Sequence, residues 1–80
     1  MKQSLGNLLL TLRRARGLTQ IQLAEKLTGV VGMQQPTISD LERNEYHPSA
    51  GQLEHVLRQL KATPQDRASA YRLAAQQVAR

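Results

Sequence analysis

Hydrophobic residues recur along this 80-residue chain at three- and four-residue intervals almost from end to end. Leu5, Leu8, Leu9, Leu12 and Ala15 share one face of a helix running from Ser4 to Arg16, and Gly17 supplies its stop. Thr19 is a good N-cap for a second helix from Gln20 to about Leu27, with Leu23, Ala24 and Leu27 turned inward. The stretch Thr28-Gly29-Val30-Val31-Gly32 breaks that period, and its two glycines mark a turn or loop. A third helix is predicted over Gln35–Arg43. Pro36 stands in its first turn, where a missing N–H costs nothing, and Ile38 and Leu41 form the inward i, i+3 pair. After a loop from Asn44 to Pro48, Ser49 and Gln52 form a capping box for a fourth helix with the stripe Leu53, Val56, Leu57 and Leu60. Thr63-Pro64-Gln65-Asp66 then opens a fifth helix to near Ala79, its thin apolar face drawn from Ala68, Tyr71, Leu73, Ala75 and Val78. Strand signals are almost lacking. The expected class is all-α, with five helices in a single domain over residues 1–80. The last helix meets no stop signal, which leaves open that this is the leading part of a longer protein.

The third helix is the most informative element, because its back is apolar and its leading end is polar. Gln34 and Gln35 stand where it begins, and Gln35, Thr37, Ser39 and Asp40 face out. Amides and hydroxyls on the first turns of a helix can read base edges in the DNA major groove, and glutamine is a natural bidentate partner for adenine. Taken alone the same residues also describe a plain solvated face, so the rest of the chain has to decide.

Charge narrows the choice. The net charge of +5 points to an anionic partner, but its distribution is uneven. Residues 1–16 carry +4 from Lys2, Arg13, Arg14 and Arg16, and residues 58–80 carry +4 from five cations against Asp66. The stretch between them is acidic, Lys26 and Arg43 being outnumbered by Glu25, Asp40, Glu42, Glu45 and Glu54. Phosphate attraction would therefore come from the ends unless the fold brings them beside the third helix. The chain has no cysteine, which fits a reducing cytoplasm, and no apolar run long enough to span a bilayer or to serve as a signal peptide. A soluble, cytoplasmic protein without a membrane partner is expected.

Two short helices joined by a glycine-containing turn, the second with polar outward residues, describe a helix-turn-helix. The stretch Leu12-Arg13-Arg14-Ala15-Arg16-Gly17-Leu18-Thr19-Gln20 with Leu23-Ala24-Glu25-Lys26-Leu27, then Gln35-Pro36-Thr37-Ile38-Ser39-Asp40-Leu41-Glu42-Arg43 and Pro48-Ser49, closely resembles the phage repressor and Cro-like (XRE-type) helix-turn-helix family over about residues 5–62. The resemblance implies a compact, lambda repressor-like bundle of about five helices that binds operator DNA, commonly as a dimer, and regulates transcription. It implies a phosphate contact for Gln20 and major-groove insertion for Gln35 and its neighbours. Arg13 and Glu42 look like the family's paired charges joining the first helix to the third, a structural ion pair. The chain departs from the family pattern between Leu27 and Met33, where Thr28 to Val31 are about four extra residues. They can lengthen the second helix, form a small apolar loop with Val30 and Val31 tucked in, or shift the docking angle. Asn44 replaces a frequent glycine after the third helix, a mild change because asparagine tolerates a left-handed backbone.

The expected base contacts are Gln34, Gln35, Thr37 and Asp40, and the expected phosphate contacts Thr19, Gln20, Ser39, Arg43, Asn44 and His47. Thr37 and Ser39 suit either role, since most protein–DNA hydrogen bonds go to the backbone. Asp40 either accepts from a cytosine amino group or sits at the edge and repels wrong partners. For Arg43 the plain alternative is a solvated surface charge. An enzyme is not expected. His47 and His55 lack ligand-spaced neighbours, Ser39 and Asp40 lack a positioned base, and Gly29-Val30-Val31-Gly32 lacks the lysine and preceding strand of a phosphate loop. No cofactor is implied. The favoured reading is a regulator, expected to be a repressor acting as a homodimer on double-stranded DNA. The alternative is an antitoxin or other protein-interaction module of the same fold, whose partner would be a toxin or polymerase; the thin face of the fifth helix keeps it open.

Overall fold

Local capping chemistry places the helix starts where the sequence puts them. The computed structural model describes residues 3–78, and in it α1 spans Leu5–Ala15, α2 Gln20–Val31, α3 Gln35–Glu42, α4 Ala50–Gln59 and α5 Pro64–Val78. Ser4 caps α1 by accepting from Asn7 N–H, while Thr19 with Gln22 and Ser49 with Gln52 form complete capping boxes. Thr63 and Asp66 exchange the same pair of bonds at the start of α5. Among the described residues there is no strand, and the architecture is all-α with five helices.

One continuous core unites the elements. Leu5, Leu8 and Leu9 of α1 meet Leu23, Ala24 and Leu27 of α2, Ile38 and Leu41 of α3, Leu53, Val56 and Leu57 of α4, and Ala70 and Leu73 of α5. Met33 and Leu60 close the cluster from the segments between helices, and Leu12, Leu18, Tyr46, Ala62 and Ala74 pack on its margin. α2 lies against α3 and α4, and α1 against α3 and α5. α3 therefore stands at the surface with its back held by two helices.

Two expectations are corrected. The first concerns the end of α2, which runs on through Thr28–Val31 instead of breaking after Leu27. Thr28 stays helical by donating its hydroxyl to Ala24 O at 2.7 Å, and Gly29 lies in open space and lowers helix propensity by only about 1 kcal/mol. The true stop is Gly32, whose φ of 68° is the left-handed cap glycine adopts without steric cost. Of the three possibilities for the extra residues, lengthening of the second helix is the one realised. The side chains of Val30 and Val31 lie outside the described residues.

The second correction concerns the buried face of α5. Ala70, Leu73 and Ala74 turn inward at i, i+3 and i+4, while Ala68 and Ala75 are exposed and Tyr71 is 37% exposed. Leu73, the largest aliphatic group of the described side chains in α5, sets the register, and Ala70 lets the helix approach closely. Tyr71 sits at the edge, where its hydroxyl donates to Glu54 Oε1 at 2.8 Å. Arg67 reaches the same carboxylate, so Glu54 ties α4 to α5. The side chain of Val78 and the expected helix end near Ala79 fall outside the described residues.

Candidate nucleic-acid interface

Three helix ends converge beside the leading turn of α3. The end of α1, the start of α2 and the start of α3 line a shallow concavity of about 470 Å³ bounded by Arg13, Arg14, Thr19, Gln20, Ile21 and Gln35. The fold thus brings the basic end of α1 next to the polar end of α3. The cations of α1 are not equally available, however. Arg13 is buried in an ion pair, and Arg16 donates to Leu60 O and Lys61 O, each at 2.8 Å, where it caps the carbonyl end of α4. Arg14 is the exposed arginine that remains at this rim.

The Arg13–Glu42 pair joins α1 to α3 as a fork. Arg13 Nε donates to Glu42 Oε2 at 2.6 Å and Nη2 to Oε1 at 3.2 Å, while Nη1 donates to Leu18 O at 2.7 Å. Their side chains are only 10% and 6% exposed. All donors and acceptors of such a buried pair must be matched for it to be tolerated, and no buried side-chain polar atom among the described residues lacks a partner.

The pair does not stop at two residues. Gln20 Nε2 donates to Glu42 Oε1 at 2.8 Å, and Gln35 Nε2 donates to Gln20 Oε1 at 2.8 Å. A chain of hydrogen bonds therefore runs from Arg13 through Glu42 and Gln20 to Gln35, at the point where α3 begins. Nothing local in the sequence announces this link, because Gln20 and Gln35 are 15 residues apart and open different helices. Both amides are half-buried, and Gln35 keeps its Oε1 and its second N–H without an intramolecular partner among the described residues. Gln34, at the N-cap of α3, makes no side-chain capping bond and is exposed.

At the other end of α3, acids occupy the expected phosphate contact. Arg43 Nη2 donates to Asp40 Oδ1 at 2.5 Å and Arg43 Nε pairs with Glu45 Oε1 at 2.9 Å, all three side chains being solvent-exposed. The hydrogen bond to Asp40, and then the charge of Glu45, push the Arg43 pKa up. Asn44, in the left-handed conformation at φ 63°, turns its amide inward: Oδ1 accepts from Gly6 N–H at 2.9 Å and from Gln77 Nε2 at 3.2 Å, and Nδ2 donates to Ser4 Oγ at 3.1 Å. His47 is exposed and lines a polar notch of about 200 Å³ with Ser4, Asn44 and Gln77. Thr19 accepts from Gln22 N–H and so spends an oxygen lone pair on the cap of α2, and Thr37 and Ser39 are half-buried along α3. The structure thus gathers Thr19, Gln20, Gln34, Gln35 and Thr37 at one end of α3 and Asp40, Arg43, Asn44 and His47 towards the other. Arg14, at the rim, and Glu45, a partner of Arg43, are site neighbours that the sequence reading did not single out. Arg14 was detectable as part of a basic run.

Among the described residues no group of three or more His, Cys, Asp or Glu side chains is arranged to hold a metal ion, and no helix is long and apolar enough to cross a membrane. A family model described as Helix-turn-helix matches residues 9–66, which is more than half of the chain and contains α2 and α3 whole. No curated protein and no solved structure shows significant similarity to the sequence. A matching family model from within α1 to the start of α5, an all-helical fold, and an α3 with a buried back and a polar leading turn agree with one another: the chain belongs to the helix-turn-helix family of phage repressor and Cro-like (XRE-type) DNA-binding proteins.

Proposed function

We propose that the protein is a transcriptional repressor that reads a specific operator by inserting α3 into the major groove of double-stranded DNA. The observation that carries this reading is the leading turn of α3. Gln34 offers its amide, and Gln35 its Oε1 and second N–H, without intramolecular partners among the described residues beside the exposed Arg14, on a helix whose Ile38 and Leu41 are 0% and 1% exposed. In this arrangement Gln34, Gln35 and Thr37 face base edges, and Asp40 accepts from a cytosine amino group further along the helix. Thr19, Ser39, Arg43 and His47 border the groove as phosphate partners, together with the second N–H of the Gln20 amide. Asn44, its amide engaged with Gly6 and Ser4, acts on DNA through the position in which it holds the end of α3.

A homodimer on a two-fold-related site follows from the small footprint of one short recognition helix. Its interface is best supplied by the groove that Pro48, Tyr71, Ala74 and Ala75 line between α4 and α5. A dimer seated on a promoter represses by occupancy and needs no cofactor. The Tyr71 groove also favours a second reading, in which it receives a toxin or polymerase surface.

Selection of bound duplexes from a random library at near-physiological salt, followed by a salt titration on the winners, tests the proposal. An inverted repeat with half-sites about 10 base pairs apart, centre to centre, is expected. Salt-sensitive binding with no enriched sequence would overturn it.

A further inference from the structure

The concavity beside the leading turn of α3 holds one large side chain that neither the core nor a hydrogen bond accounts for. Ile21 stands at the second position of α2, is 62% exposed and lines the concavity with Arg14, Gln20 and Gln35. We infer that Ile21 is a specificity-determining residue that receives the 5-methyl group of one thymine in the major groove, an inference that rests on the operator-binding reading just proposed.

A single exposed aliphatic side chain is ordinary on a protein surface, so its place and surroundings have to carry the argument. Ile21 and Tyr71 are the exposed large hydrophobic residues among the described ones. Tyr71 has a polar end, which Glu54 engages. Ile21 has none, and it joins neither the core cluster nor the residues packed on its margin. Leu18, which lines the same concavity, is half-buried and does pack on that margin. Nor does Ile21 serve its own helix. Thr19 and Gln22 make the capping box on either side of it, and a β-branched residue is a poorer helix former than alanine. With α3 in the major groove, Ile21 reaches the duplex from the same concavity as Gln35. Burial there is favourable only against an apolar group. Phosphate oxygens and the donor and acceptor edges of adenine, guanine and cytosine are polar, whereas thymine carries a methyl group on its major-groove edge. Isoleucine, stiff at χ1, offers that methyl a fixed apolar surface. Deoxyribose carbons are the other apolar surface of a duplex, but they are the same beside every base and would give no preference.

The test exchanges each enriched thymine of the selected operator, one at a time, for uracil, which lacks only the 5-methyl group. Affinity is measured for the intact wild-type protein and for Ile21→Ala on every duplex. The substitution trims an exposed side chain and leaves a better helix former, so a folded variant is expected, with thermal melting as the check. One thymine position is expected at which the wild type binds the uracil duplex about fourfold more weakly, the effect of one buried methyl, and at which Ile21→Ala binds both duplexes alike. Thymine-to-uracil ratios elsewhere should be the same in both proteins. An operator with no such position overturns the inference and leaves the operator-binding reading standing. So does an equal loss in Ile21→Ala on every duplex, the signature of packing against deoxyribose, and so does no loss at all, as for a side chain that faces solvent or a protein partner. Failure of the wild type to enrich any sequence overturns both.

Discussion

The backbone N–H of Gly6 donates to Oδ1 of Asn44 at 2.9 Å, a bond between residues 38 apart that fastens the start of α1 to the end of α3. Beside this backbone-to-side-chain bond, the backbone of Gly6 also packs against the backbone carbonyls at the end of α3. A Cβ built on Gly6 would lie 2.5 Å from Glu42 O and 2.7 Å from Leu41 O, so the two helix ends approach as closely as they do only because residue 6 has no side chain. Gly6→Ala is expected to lower stability by about 1–3 kcal/mol, as overpacking a fixed contact does, with a reduced denaturant midpoint in chemical unfolding. Stability equal to wild type would mean that α1 and α3 can separate freely here. Because Glu42 and Asn44 both sit at this junction, the same substitution is expected to weaken DNA binding even where the protein remains folded.

Removing one member of the buried fork should be far more damaging than removing both. Arg13→Met leaves the Glu42 carboxylate desolvated and short of its partner, and a loss of about 3–5 kcal/mol is expected. Combining it with Glu42→Leu should restore much of that loss, since two apolar groups need no partner. A double-mutant cycle by denaturant unfolding reads the difference, and strictly additive losses would contradict the pairing.

Arg43 and Asp40 are expected to affect DNA binding with opposite sign. Arg43→Ala removes one cation from the flank of α3, so it should weaken every duplex alike and reduce the slope of log affinity against log salt by about 0.9. Asp40→Asn removes a negative charge and releases Arg43 from its 2.5 Å bond. Affinity for random duplex should therefore rise while preference at one base pair falls. Salt titrations of binding on operator and random DNA separate the two effects.

The α4–α5 tie predicts a pH dependence. The hydrogen bond from Arg67, and then that from Tyr71, hold the Glu54 carboxyl below the ordinary glutamate range. A group with a depressed folded pKa stabilises the protein above its unfolded pKa and loses that contribution as pH falls through the folded value. The stability difference between wild type and Glu54→Gln should therefore be complete at neutral pH and close below pH about 4. On the alkaline side Tyr71, raised first by its partial burial and then by the bond to Glu54, contributes below its unfolded value near pH 10 and is lost above it. Thermal melts across the pH range check both; a gap that persists unchanged at pH about 3 would show that the Glu54 charge is not what ties the helices.

How far the sequence could be read depended on the range of the interaction involved. Thr19, Ser49 and Thr63 bond to N–H groups within three residues, so the starts of α2, α4 and α5 were legible from short words in the chain. The inward stripe of α4 and that of α1 from Leu5 to Leu12 were legible for the same reason, each being repeated over several turns, whereas Ala15, expected on the α1 stripe, is exposed because the core ends before the last turn of that helix. The end of α2 was misplaced because two glycines compete for it, and glycine marks a stop only where the backbone takes the left-handed conformation. Gly32 does so and Gly29 does not. The face of α5 was misplaced because alanines lie all round that helix, and only the core shows which of them it accepts.

The chain by itself determined five helices, the polar leading turn of α3 and the pairing of Arg13 with Glu42. These depend on spacing and residue type, which periodicity or resemblance can expose. Only the tertiary structure decided which polar groups of that surface are available and which are engaged. Asn44 is turned inward by Gly6 and Ser4, Arg43 is held between Asp40 and Glu45, and Gln35 is oriented by Gln20. The physical reason is that a hydrogen bond commits its partners by geometry at about 3 Å, and that geometry exists only once segments far apart in sequence have packed on a common core.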